Sequence, residues 1–205
     1  MNTPWAILLT HFSDDDTEPF QKSRYEEIFT TSGAGKWNMV DFFRDMSHGI
    51  LDLSGSKVFG WLKLDQKASE YTGSGANPAG RKQLIQWARD KAVEKKIKVG
   101  DFFSVVLVFN KDLDLFGGPN GVVCGDDAKD KYLSGLSPSY LGQEMGHAYG
   151  VWHGRQDDAR PPVARAVDAV ILPDVPAVGP IEARRREHHR RLHERQQVGR
   201  LGRGD

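Results

Sequence analysis

LGQEMGHAYGVWH, residues 141–153, is the stretch from which the fold is read. Glu144, His147, Gly150 and His153 follow one another at intervals of three. A helix over 143–149 sets Gln143 and His147 one turn apart on a single face, which is how a helix presents metal ligands. Such a helix aims a further ligand at the same point only if it ends. Gly150 is read as the left-handed residue that ends it and turns the chain back, so that His153 arrives from the turn. If no metal is held, the same residues read as an amphipathic helix with two incidental histidines.

Within this stretch, QEMGHAYGVWH resembles the HExxHxxGxxH zinc signature of the metzincin metallopeptidases, where His residues bind zinc and the Glu polarises the attacking water. Carried over position by position, the resemblance implies Glu144 as general base, His147 and His153 as the second and third ligands, and Gly150 as the structural turn. Gln143 stands where the signature has its first His. A Gln offers a neutral carbonyl oxygen, a poor donor to an ion that prefers imidazole and thiolate. The implied cofactor is zinc and the implied activity is hydrolysis of peptide bonds in a peptide or protein substrate, expected to be weak or absent with Gln143 in place. The alternative is a peptidase fold without catalysis that binds extended peptides. The run FFRDMSHGILDLSGSKVFGW, residues 42–61, is similar to the region ahead of the catalytic helix in immune-inhibitor-A-like bacterial peptidases.

Ahead of the motif, residues 5–10 (WAILLT) form a short apolar run before an acidic turn and predict a buried strand. Thr17, Glu18 and Pro19 give helix-start signals, with Phe20, Tyr25, Ile28 and Phe29 on one face. Val40, Phe43 and Met46 predict a second helix ending at Gly49. Residues 50–53 and 58–64 flank Ser54, Gly55 and Ser56, a pattern that predicts two strands about a tight turn. Asn77 and Pro78 open the best helical period in the chain, carried by Leu84, Ile85, Ala88, Ala92, Val93 and Ile97. FFSVVLVF, residues 102–109, predicts a central strand covered on both faces. Glycines 117, 118 and 121 then break the pattern, and Val122, Val123 and Cys124 predict a short edge strand, where the resemblance places the strand that pairs with extended substrate. Ser137 and Pro138 read as cap and first turn of the motif helix. Residues 1–153 are thus expected to form an α/β (α+β) metzincin-like upper subdomain, a mixed twisted sheet with backing helices and a ligand-bearing helix.

The composition changes at His153. The formal charge is −3 up to that residue and +3 after it, and residues 154–205 contain no Ser, Thr, Asn, Lys, Phe, Tyr, Trp, Met or Cys. Two readings stand: a disordered basic tail with too little apolar surface to offset ordering entropy, or a GC-rich gene read out of frame. In metzincins a lower subdomain with a methionine turn follows the third ligand, and this chain has no Met beyond Met145.

Other signals weigh less. The single cysteine, Cys124, rules out an internal disulfide and reads as a small core residue before a zinc-capping thiol. GANPAGRK, residues 75–82, lacks the Lys and Ser or Thr of a phosphate loop, and Gly35 with Lys36 fails the same pattern. Asp112, Asp114, Asp126 and Asp127 lack a calcium-loop pattern. His188, His189 and His193 read as solvated tail, and His11 and His48 as surface or satisfied core histidines. The arginines at 184, 185, 186, 190 and 191 carry no aromatic residue for base stacking, so no specific nucleic-acid partner is expected. No apolar segment reaches transmembrane length and no leader pattern opens the chain, which predicts a cytoplasmic location without a membrane partner. The pattern sets no oligomeric state.

Overall fold

An apolar run without polar alternation must be covered on both faces, and two such runs set the architecture. They are β1 (Trp5–His11) and β3 (Ser104–Phe109), in which every residue is buried. A computed structural model of the protein describes them within residues 1–33, 38–126 and 135–151. All of these fall in the first of two units, Met1–Ile171; the second, Leu172–Asp205, and the whole expected tail, 154–205, lie outside the described residues.

β1 and β3 pair in parallel, Trp5 opposite Ser104 and Thr10 opposite Phe109. β2 (Lys57–Lys63) runs parallel along the other side of β1 and exposes a lysine at each end, as suits an outer strand. β5 (Gly121–Gly125) runs parallel to β3, and β4 (Phe116–Gly118) turns back antiparallel on β5. The order is β2-β1-β3-β5-β4, a mixed α/β arrangement with a five-stranded, mostly parallel sheet.

The two-residue period of the strands sorts the core into two layers. Trp5, Ile7 and Leu9 of β1 pack with α1 (Lys22–Phe29), α2 (Met39–Met46) and α4 (Pro138–Ala148), through Tyr25, Ile28, Phe29, Met39, Phe43, Leu141 and Met145. Ala6 and Leu8 point the other way and meet α3 (Pro78–Glu94) through Leu84, Ile85, Ala88 and Ala92. The Asn77 side-chain oxygen accepts from the N–H of Ala79 at 3.1 Å, and Pro78 fills the first helical position, as the sequence predicts.

The structure departs from the sequence reading in four places. Thr17 does not open α1; its N–H and hydroxyl donate to Asp15 in a turn, and the helix starts at Lys22. Residues 50–53 do not form a hairpin with β2, because Asp52 bridges in parallel to Asn2 and spends its backbone groups there. The central strand begins at Ser104 rather than at Phe102, whereas the motif helix starts at Pro138, as its Ser137 cap and Pro138 predict. Val122, Val123 and Cys124 are not an edge strand. They belong to β5, buried between β3 and β4, and the edge is β4, within the glycine run read as a break. No helix among the described residues is long and apolar enough to cross a membrane.

Candidate functional site

Helix α4 is fixed at both ends and along its length. At the start, the Ser137 hydroxyl accepts from the Tyr140 N–H at 3.5 Å. Leu141 and Met145 anchor the middle in the core, each fully buried. At the end, the Tyr149 hydroxyl accepts from the Trp5 indole at 2.9 Å and shares a bond of 2.9 Å with the Thr3 hydroxyl, while its ring stacks on Phe103 at 4.6 Å. Burial pushes the Tyr149 hydroxyl above the usual phenol range, so it stays a neutral donor and acceptor.

The helix stops as the glycine predicts. Gly150 has φ +84°, its N–H donates to the His147 carbonyl at 3.1 Å, and the Val151 N–H donates to the Gly146 carbonyl at 3.1 Å. This pair of bonds is the Schellman arrangement, which needs a residue with positive φ just past the helix. The turn has a second effect, because it carries the Val151 carbonyl back to 2.6 Å from His147 Nδ1. A carbonyl oxygen only accepts, so Nδ1 carries the hydrogen and Nε2 of the neutral ring carries the lone pair. A fixed tautomer of this kind is what a second-shell carbonyl gives a metal-binding histidine.

Nε2 of His147 lies 4.0 Å from Glu144 Oε2, with both side chains largely buried. Gln143, one turn before His147, is exposed and reaches Glu144 Oε1 through its amide N–H at 3.4 Å. Gln143 and His147 line one cleft of about 340 Å³ between α2 and α4, whose other walls include Phe42, Phe43, Met46, Leu51 and Val151. α4 presses close to its neighbours on either side of this face. A Cβ on Gly142 would strike the Phe42 ring, and one on Gly117 of β4 would strike the Glu144 carbonyl.

Gln143, Glu144 and His147 lie on α4, and Gly150 in the turn that closes it. Val122, Val123 and Cys124 lie outside the site, in the inner strand; the Cys124 thiol donates to the Leu107 carbonyl at 3.5 Å, and burial with the nearby Asp126 raises its pKa. His153, the expected third ligand, lies outside the described residues, as do Gly35, Lys36, Asp127, the tail histidines 188, 189 and 193 and the arginine cluster. Two of the acidic candidates, Asp126 and Asp114, are engaged elsewhere. Asp126 is fully buried and held by two bonds from Arg24, at 2.9 and 3.2 Å, and Asp114 takes two from Arg81 and one from the Tyr71 hydroxyl. His11 is a buried core histidine against the Phe12 carbonyl, and His48 is exposed.

These donors fall short of a zinc site. Zinc takes at least three protein ligands of imidazole, thiolate or carboxylate type. The described residues offer the Nε2 of His147 with Glu144 beside it, and no group of three or more His, Cys, Asp or Glu among them is placed to hold a metal. The Phe42 wall of the cleft and the contact of Gly117 with the Glu144 carbonyl went unread in the sequence, where no local signal marks either. No protein-family model, curated protein or solved structure matches the chain.

Proposed function

We propose that the chain is a zinc metalloendopeptidase-like domain of the metzincin group in which Gln143 leaves hydrolysis weak or absent. The reading rests foremost on His147: a glycine turn after the helix brings a carbonyl onto Nδ1 and leaves Nε2 facing Glu144. A mostly parallel, mixed sheet with backing helices is also compatible with the mixed twisted sheet that the motif resemblance implies.

A peptide-binding role without cleavage draws on a separate feature. β4 ends the sheet and pairs, among the described residues, with β5 alone, so its outer backbone groups are placed to receive an extended peptide. Backbone pairing needs no metal.

Zinc content and cleavage of a quenched peptide mixture, measured on the full chain and on Gln143→His, test the assignment. The original chain is expected to hold less than one equivalent of zinc after dialysis and to cleave no faster than a chelator-treated control. Restoring an imidazole is expected to raise zinc affinity by about 10- to 100-fold. A Gln143→His chain that folds and gains no zinc removes Gln143 from the ligand position and the metallopeptidase reading with it.

A further inference from the structure

A second groove, of about 380 Å³, opens between α3 and the edge strand, with Arg81, Lys82 and Ile85 on one side and Phe116, Gly117 and Gly118 on the other. It has no acidic side chain in its lining. Arg81 is already neutralised by Asp114 and lies with its guanidinium 4.5 Å over the Phe116 ring, forming part of the wall. Lys82 is exposed, and no carboxylate among the described residues pairs with it. Arg89 follows Arg81 and Ile85 at successive helical turns on the same stripe of α3. It is partly buried and donates to the Asn120 carbonyl at 3.0 Å, in the turn that joins β4 to β5. Burial alone lowers its pKa, with no acidic group offsetting the cost.

The strand beside these cations is built for close approach. A Cβ on Gly118 would meet nothing within 4 Å, so open space lies over the strand at that point. We propose that this groove selects acidic side chains, an extended peptide added to the outer edge of β4 placing an Asp or Glu carboxylate against Lys82, with Arg89, held behind the Asn120 turn, adding to the positive field. The inference rests on the peptide-binding reading of β4 and adds to it the class of peptide. Pairing by backbone supplies affinity for any extended chain, and the unpaired cations supply the discrimination.

The test measures fluorescence anisotropy of labelled peptides of equal length on the full chain, one carrying Asp and Glu and its counterpart carrying Asn and Gln. The acidic peptide is expected to bind about fivefold more tightly at low salt, with the ratio falling as salt rises. Lys82→Glu is expected to collapse that ratio, and the milder Lys82→Gln to lower it, which keeps the test open should one variant fold poorly. Equal binding of the two peptides overturns the acidic preference and leaves the edge-strand reading standing. Failure of every peptide to bind overturns both. An acidic preference that survives both substitutions also overturns the inference, because the anion is then read elsewhere, as by the arginines at 184–186.

Discussion

The two faces of the sheet are covered in different ways. On one, the 17 residues of α3 lie across β1 and β3 and bury Leu84, Ile85, Ala88 and Ala92, with a rim closed by ion pairs from Arg81 to Asp114 and from Lys91 to Asp65 and Glu94. On the other, three shorter helices share the work and leave the apolar cleft between α2 and α4, with Met46 63% and Val151 44% exposed on its walls. Both faces carry buried core, and the first is closed. The second holds His147 and Gln143 at a place where apolar surface stays open, which is where binding surfaces are commonly found. Stability and chemistry are therefore separable by substitution.

The largest expected effect lies on the closed face. Leu84 of α3 is fully buried against the sheet, and Leu84→Ala is expected to cost about 2–5 kcal/mol in urea unfolding, from lost transfer energy and a cavity the packed helix cannot collapse. Leu51 is almost as buried at 5% exposure but lines the open cleft, so Leu51→Ala is expected near the low end, about 2 kcal/mol. A greater loss at Leu51 than at Leu84 would remove the distinction between the faces. Next comes Gly117, where α4 and β4 touch. Gly117→Ala drives a methyl group into the Glu144 carbonyl and is expected to cost about 1–3 kcal/mol, with weaker peptide binding as β4 shifts. If Gly117→Ala unfolds at the original urea concentration, the contact between strand and helix is looser than described.

What could be read from the sequence follows the same division. Continuous apolar runs announced β1 and β3, and the Asn77–Pro78 start announced α3, because those signals are local and strong. The motif helix and the turn at Gly150 were legible for the same reason, since a positive φ just past a helix calls for glycine. β4 was not. Its Gly117 lies against the Glu144 carbonyl of α4 while the strand pairs with β5, and a glycine selected for close approach looks in sequence like one selected for a turn. The missed strand displaces its neighbour too, because Val122 and Val123, which read as edge residues with Cys124, pair on both sides. Likewise, the bond between His147 and the Val151 carbonyl depends on where the Schellman turn delivers a carbonyl, which spacing alone does not specify.

That turn gives the third expected effect. Gly150→Ala places a Cβ at φ +84° and is expected to cost about 1–2 kcal/mol, the penalty for a left-handed L-residue. It also moves the Val151 carbonyl away from His147 Nδ1, so the ring nitrogen shifts of His147 should report a mixture of tautomers in place of one. An unchanged tautomer in a destabilised Gly150→Ala chain would detach the turn from the site.

The smallest effect belongs to the cleft wall. Met46 is 63% exposed, so Met46→Gln removes little buried area and is expected to change stability by no more than about 0.5 kcal/mol. It does replace an apolar wall of the cleft with an amide. Binding of an apolar fluorescent dye to the folded chain should therefore weaken while the unfolding midpoint stays put. Dye binding that is indifferent to Met46→Gln places the exposed apolar surface elsewhere, and a midpoint that falls by much more makes Met46 part of the core. In the first case the open cleft loses its claim as a binding surface, and the contrast between the faces reduces to one of stability alone.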